Sequence, residues 1–504
     1  MDAKTLAARL VMVAARCGAD EIETTRANVL PTVRDLGVGG IIVFGGERAS
    51  VADLVSEARA DAPGPLLVAS DLERGLGWQV DGGTRLPSPM AIAATGDVDL
   101  AFEAGLLTAV EARSVGIDLV LAPVADLADR PDNPIVANRS FGDQPLRVSA
   151  YVDAFVKGCR MGGAACAAKH FPGHGRTTVD SHIELPVVEA TEDSLREREL
   201  AVFRRAVAAG VDAVMTAHVA YPSLDESGAP ATFSRRIVRE ILRREFAFGG
   251  LVLSDALIMG GAGASAEESA RRAFLAGHDI LLMPPDVKAA VAAVAELAAS
   301  DEERALELER AAERVESLAL RVRSAGTPAD SPADLPNRIA SGAATLLRGP
   351  VAPRFVRGAD ELVVVLAGEK RRLPETSALV DRLEEEARIR RVIRVDEEGG
   401  GVEAASERVA HAGAAIIALY DEPAAWRGSP YPAESLLSAV QRLISAARTP
   451  VLVLCSPPFV LKALDVACPV VCVWDTAPSS ERAAADVLLG AEAPGVAPVR
   501  VPGS

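Results

Sequence analysis

Residues 164–186 read AACAAKHFPGHGRTTVDSHIELP, and two kinds of sequence meet inside them. Ala164 to Lys169 is a short apolar run closing on a cation, with the length and content of a buried strand. Beyond it Pro172, Gly173 and Gly175 forbid a regular helix, so the chain leaves the strand as a loop. Three of the six histidines, with Lys169, Arg176 and Asp180, fall in this short span. A strand whose C-terminal end opens into titratable side chains is how a (β/α)8 barrel builds its site.

The same arrangement recurs on either side. Asp71 follows Leu-Leu-Val-Ala-Ser at 66–70, His218 closes Ala-Val-Met-Thr-Ala at 213–217, and Asp255 follows Leu-Val-Leu-Ser at 251–254. A doubly wound sheet would instead gather such groups near one switch point. Strands are expected at Gly40–Phe44, Leu66–Ser70, Asp118–Ala122, Ala164–Lys169, Ala213–Ala217, Leu251–Ser254 and Asp279–Met283, with helix-length segments between most of them. Seven parallel candidates in about 300 residues point to a (β/α)8 TIM-type barrel.

Asp301 to Arg323 reads as a charged helix, and Ser324 to Pro336 is rich in Pro, Ala and Asp. A second alternation follows, with strands at Glu361–Ala367, Arg390–Val395, Ala414–Tyr420, Val451–Cys455 and Val470–Trp474. The expected fold class is therefore α/β, an N-terminal barrel followed by a C-terminal α/β/α sandwich. Its boundaries are 1–325 for the barrel, 326–344 for a linker and 345–504 for the sandwich.

Composition narrows the function. Seventy acidic against 53 basic residues leave a net charge of −17 over 504 residues, without a local basic patch, which argues against nucleic-acid partners. The six cysteines form no Cys-x-x-Cys pair and lie in apolar runs, so reduced core thiols are expected. Met1 to Cys17, with Arg9 and Arg16 inside its apolar stretch, reads as an amphipathic helix and not a signal peptide. No run approaches the roughly 18 apolar residues of a membrane span, so a cytoplasmic protein without a membrane partner is expected. Oligomeric state is not legible.

Asp180-Ser181-His182 places a carboxylate two residues from an imidazole, within reach through a turn. An anionic partner favours the protonated imidazole, which can then donate to a leaving-group oxygen. Asp255, held at the end of a stiff strand, supplies the carboxylate that a retaining glycosidase needs on the opposite side of the sugar. Three histidines and an aspartate could also suit zinc, but the spacing is not His-Glu-x-x-His, no cysteine is near, and zinc leaves Asp180 without a role. No metal and no cofactor are expected.

KHFPGHG followed by DSH, with Leu253-Ser254-Asp255, resembles glycoside hydrolase family 3, in particular its β-N-acetylglucosaminidase branch. The resemblance implies Asp255 as nucleophile, His182 as acid/base and Asp180 as its partner. It implies sugar contacts for Asp71, Lys169, His170 and Arg139, the last in Asn138-Arg139-Ser140-Phe141-Gly142-Asp143. Two motifs depart from the family pattern: Asp-Gln-Glu-Gly-Gly is here Asp71-Leu72-Glu73-Arg74-Gly75, and Ala256 stands where a second Asp is common. The activity implied is hydrolysis of terminal β-linked N-acetylglucosamine by double displacement, with muropeptide or chitin-type substrates and wall recycling as the setting. The alternatives are a β-N-acetylglucosaminide phosphorylase, a β-glucosidase or β-xylosidase of the same family, and an inactive carbohydrate-binding protein. His174 is expected to shape the loop, His218 and His278 to hydrogen-bond within the barrel rim, Asp126 and Asp143 to fix loops, and His411 to be solvated. Arg74 and Arg176 are either loop salt bridges or substrate contacts.

Overall fold

The computed structural model describes residues 1–503 except 263, 327–331, 333, 352–355, 357–361, 371, 387, 388, 423, 425 and 426. Glu361 and part of the expected linker lie outside the described residues. The chain divides into two compact units. One comprises Met1–Arg85, Ala101–Leu127 and Pro145–Pro332; the other comprises Leu86–Leu100, Ala128–Gln144 and Ala333–Ser504.

The first unit is an eight-stranded parallel barrel. Its strands are β1 (Val11–Arg16), β2 (Gly40–Phe44), β3 (Leu67–Ser70), β4 (Leu119–Val120), β5 (Ala165–Phe171), β6 (Ala213–Thr216), β7 (Leu251–Leu253) and β8 (Leu281–Leu282). They pair in the order β7-β6-β5-β4-β3-β2-β1-β8. A parallel bridge between Leu253 and Ile280 joins the two ends of that order. The interior is filled from every strand, by Met12, Ile42, Leu67, Ala69, Leu119, Ala165, Ala167, Ala213, Met215, Leu251, Leu253 and Leu282. This is a packed core with no channel, as the fold requires.

The seven expected strands are present and the eighth is one the sequence reading placed in a helix. The helix is only Ala3–Arg9, and Val11–Arg16 is β1, bonded to both β2 and β8. The misreading has a physical cause, because Arg9 looked like a solvent-facing residue. It is buried instead, pairing with Glu316 at 3.1 Å and donating to the carbonyls of Gly37 and Val38 at 3.3 and 3.2 Å.

The N-terminal mouth of the barrel is closed by the helix Glu302–Ser324, whose Val315, Leu318, Ala319 and Val322 pack onto the interior. Three buried aspartates mark that mouth, each just before an even-numbered strand. Asp118 accepts the Val68 N–H of β3 at 3.1 Å, Asp212 the Cys166 N–H of β5 at 3.2 Å, and Asp279 the Val252 N–H of β7 at 2.8 Å. Each also holds arginines: Asp118 pairs with Arg59 and Arg113, Asp212 with Arg321, Asp279 with Arg243 and Arg314.

The second unit carries a six-stranded sheet in the order β11-β10-β12-β13-β14-β9. Its strands are β9 (Thr345–Arg348), β10 (Leu362–Gly368), β11 (Ile389–Val395), β12 (Ala414–Tyr420), β13 (Pro450–Cys455) and β14 (Val470–Cys472). All neighbours are parallel except β9, a short antiparallel edge that the sequence reading did not anticipate. β10 and β12 are buried along their whole length, so both faces are covered by helices. Helices Ala378–Glu384 and Pro478–Leu488 pack on the face bearing Val364, Leu366, Ile416 and Ala418. Helices Val402–His411 and Glu434–Ala446 also contact the sheet, which gives the expected sandwich. All six cysteines are buried and none is in a disulfide. No helix among the described residues is long and apolar enough to cross a membrane.

Breaking one of the aspartate–arginine groups tests this account of the barrel floor. Asp118→Ala removes the carboxylate that Arg59, Arg113 and the Val68 N–H share, leaving Arg59 with the Gly116 carbonyl, and should lower unfolding free energy by about 3–5 kcal/mol. Urea denaturation measures it; a loss below about 1 kcal/mol would mean that the arginines simply reach water.

Candidate functional site

The site is assembled at the C-terminal ends of the barrel strands, beginning with β3 and β5. Lys169 is buried on β5, and its Nζ lies 2.6 Å from Asp71 Oδ1 and 2.6 Å from Glu73 Oε1. Asp71 and Lys169 were both expected here. Glu73 was not, although two carboxylates in alternate positions just after a strand end are a readable sign of a shared partner.

The next residue, His170, meets Asp126. Asp126 Oδ2 lies 2.7 Å from His170 Nδ1, and its Oδ1 accepts the backbone N–H of His170 at 3.2 Å and of His174 at 2.7 Å. Burial opposes charge on Asp126, but the neighbouring imidazole of His170 and these hydrogen bonds prevail and hold the carboxyl below its ordinary range. Asp126 is therefore more than a loop-fixing residue, since it orients a ring expected to contact sugar.

From His170 the loop is fixed bond by bond. Tyr221 donates to the Gly173 carbonyl at 2.8 Å, and Arg176 pairs with Glu199 at 2.6 Å and donates to Ser194 at 2.9 Å. This assigns Arg176 to a loop salt bridge. A Cβ at Gly175 would stand 1.7 Å from the Leu127 carbonyl oxygen, so only glycine lets the loop pass. The His174 ring spans Thr177 Oγ1 at 2.9 Å and Ser181 Oγ at 3.0 Å. Burial, chiefly, lowers its pKa to about 4, so it serves as a neutral strut.

That strut ends beside the Asp-Ser-His turn. Asp180 Oδ1 accepts from the His182 backbone N–H at 2.9 Å and lies 2.8 Å from His182 Nδ1. The carboxylate is fully buried while the ring keeps 20% of its surface exposed. Nδ1 thus faces Asp180.

Asp255 follows β7 and accepts the Ala256 N–H at 2.8 Å. Burial disfavours its charge, yet the imidazoles of His218, His170 and His182 and the Ala256 N–H outweigh it, holding the carboxyl below its ordinary range. His218 donates from Nε2 to the Ala256 carbonyl at 3.1 Å and meets Thr232 at 2.9 Å. Burial keeps it neutral against the pull of Asp255.

The Asp180–His182 loop and the segment after Asp255 are joined backbone to backbone. Gly260 N–H donates to His182 O at 3.1 Å, and Gly261 N–H to Ser181 O at 3.0 Å. A Cβ on Gly261 would fall 2.7 Å from that same Ser181 oxygen. Neither bond has a signature in the sequence.

Of the expected site residues, Asp71, Lys169, His170, Asp180, His182 and Asp255 belong to this unit. Arg139 belongs to the second, on the turn Ala137–Arg139, where its Nη1 donates to Ile135 O at 3.1 Å. Among the described residues no three His, Cys, Asp or Glu side chains are grouped as a metal ion would need. Arg74 stacks on Trp78, 3.8 Å from the ring centroid.

Comparison with known proteins matches this barrel to the glycosyl hydrolase family 3 N-terminal domain over residues 4–318. The chain belongs to glycosyl hydrolase family 3. A β-hexosaminidase of Pseudomonas aeruginosa is 39% identical over 267 residues, covering 52% of this chain and 79% of that protein. One of Tolumonas auensis is 40% identical over 255 residues, covering 49% and 75%. Among solved structures, a family 3 β-N-acetylglucosaminidase from Paenibacillus sp. str. FPU-7 superposes with a TM-score of 0.87 at 28% identity, over 99% of each chain. The family resemblance read from KHFPGHG, DSH and LSD is borne out, as is the barrel-then-sandwich fold.

Two neutral histidines of this family 3 barrel make its stability depend on pH. His174 resists protonation down to about 4 and His278, buried between Thr216 and the Ala273 carbonyl, down to about 3. In the unfolded chain both take a proton near pH 6.5. Their contribution is therefore complete above about pH 6.5 and is lost as pH falls toward 4, each at up to about 1.4 kcal/mol per pH unit. Thermal melts between pH 7.5 and 4.5 should show a falling midpoint, less steep in His278→Gln; a flat profile would overturn the assignment.

Proposed function

We propose that this glycoside hydrolase is a retaining β-N-acetylhexosaminidase that removes terminal β-linked N-acetylglucosamine. The observation that carries the reading is the Asp180–His182 contact: a buried carboxylate 2.8 Å from Nδ1 of a ring that is itself partly exposed. The β-hexosaminidase relatives and the superposition on a family 3 β-N-acetylglucosaminidase support it.

In the first step the Asp255 carboxylate attacks the anomeric carbon while the glycosidic C–O bond breaks and His182 gives its proton to the departing oxygen. A carboxyl held below its ordinary range is ionised across the working pH, as a nucleophile must be. In the second step His182 takes a proton from water, the oxygen attacks the anomeric carbon, and Asp255 is released. Asp71, Lys169 and His170 hold the sugar, with Glu73 and Asp126 keeping the lysine and the imidazole in place.

Aryl β-N-acetylglucosaminides separate the roles. Asp255→Asn should lose at least about 10³-fold in kcat on every aryl leaving group. His182→Ala should lose about 10²–10⁴-fold on a poor leaving group such as methylumbelliferone, and far less on dinitrophenol, which departs without a proton. Equal losses on both would remove His182 as the acid, and cleavage of aryl β-glucoside in preference would overturn the sugar assignment. Acceleration by phosphate, with glycosyl phosphate as product, would move the acceptor from water to phosphate.

The backbone clasp gives a separate test. Gly261→Ala, which forces the Ser181 carbonyl aside, should lower kcat on the poor leaving group by about 10²-fold and spare dinitrophenyl glycosides. A uniform loss would mean that the clasp serves folding alone.

A further inference from the structure

Eleven large apolar side chains among the described residues are exposed, and four of them, Ile183, Leu185, Val187 and Ile258, fall on the two segments that the Gly260 and Gly261 backbone bonds join. Ile183 is 53% exposed and follows the dyad histidine directly. Ile258 is 55% exposed, three residues after Asp255 and two before the clasp. Such side chains scattered singly over a surface mean nothing, but their gathering on two bonded segments beside a reacting centre marks a contact for a ligand.

The chemistry fixes which part of the ligand that is. Only a leaving group whose glycosidic oxygen lies within hydrogen-bond reach of His182 receives its proton. The atoms of the leaving group next to that oxygen must then pass over the residues adjoining His182. Among those residues the exposed apolar ones are Ile183, next in the chain to His182, and Ile258, two residues before the Gly260 N–H that donates to the His182 carbonyl. By microscopic reversibility the incoming acceptor meets the same surface.

We infer that Ile183 and Ile258 form an apolar leaving-group subsite, which selects aglycones and acceptors that present an alkyl or aryl surface over those that present only hydroxyls. This inference rests on the glycosidase reading above, because it takes His182 as the proton donor. It concerns a different part of the substrate, so the two can fail separately.

The test is competition for the glycosyl-enzyme. Nitrophenyl β-N-acetylglucosaminide is turned over in the presence of benzyl alcohol or glycerol, and the ratio of nitrophenol to free N-acetylglucosamine gives the share captured by each alcohol. That share does not depend on how fast the intermediate forms, so a variant slowed for other reasons still reports it. Wild type should favour benzyl alcohol by about tenfold per hydroxyl. Ile258→Ser and Ile183→Ser should each cut that preference several-fold, and Leu306→Ser, an exposed leucine on the helix Glu302–Ser324, should leave it unchanged. Equal capture of the two alcohols by wild type, or a preference that survives both isoleucine changes, would overturn the subsite. Absence of nitrophenol release by wild type would overturn the glycosidase reading, and the subsite with it.

Discussion

One carboxylate, that of Asp126, sets the geometry on which the site depends. Its two oxygens tie the end of β5 to the start of the loop, through the His170 ring and the backbone N–H groups of His170 and His174. His174 then reaches Ser181, Ser181 adjoins both members of the dyad, and the dyad backbone is bonded to the segment that follows Asp255. Asp255 leaves the same barrel through β7. The proposed nucleophile and the proposed acid are thus linked by a closed circuit of short hydrogen bonds running from strand to loop to strand. A loop holding three glycines and prolines within four residues has little conformational preference of its own, and the circuit supplies the order that positioned catalysis requires.

The opposite end of the barrel uses charge for another purpose. Asp118, Asp212 and Asp279 each cap a neighbouring strand's N–H and gather arginines from the surrounding helices, including two, Arg314 and Arg321, from Glu302–Ser324. These carboxylates are as buried as Asp126 and Asp180 of the site, but each faces guanidinium groups and a backbone donor. Burial alone therefore does not separate structural from functional carboxylates in this chain. What separates the two groups is the strand end they occupy and the cation opposite, guanidinium at the floor and imidazole or the Lys169 ammonium at the site.

Much of this was legible in the residues. Seven strands, their titratable ends, the sandwich and the dyad follow from apolar runs, Gly and Pro punctuation and a spacing of two between Asp180 and His182. The parts that escaped share a cause, which is that they depend on distant partners. β1 was hidden because Arg9 finds acceptors at Gly37, Val38 and Glu316, and β9 because its four residues pair with β14 and, at Thr345, with Pro494. Leu86–Leu100 and Ala128–Gln144 belong to the second unit through bonds such as Ser88 N–H to Asp475 at 2.6 Å and Asn138 to the Trp474 carbonyl at 2.9 Å. No local pattern announces a contact across more than 300 positions, nor a backbone clasp like that of Gly260 and Gly261.

The histidines show why a cluster of one residue type need not mean one function. His174, His218 and His278 are enclosed, and burial holds each neutral, so each ring acts as a donor and an acceptor of fixed direction. Such rings stiffen a site without competing for its protons. His182 differs in both respects that matter: its partner is a carboxylate and its ring is partly open. A residue that must give up a proton in one step and regain it in the next needs a neighbour that stabilises its charged form and a path by which the second proton arrives. The enclosed histidines have no open edge, whereas the buried Asp180 anchors one nitrogen of the proposed acid/base and its ring keeps 20% of its surface exposed. The proposed proton delivery and the leaving-group recognition inferred at Ile183 and Ile258 thus both rest on the same partly open ring.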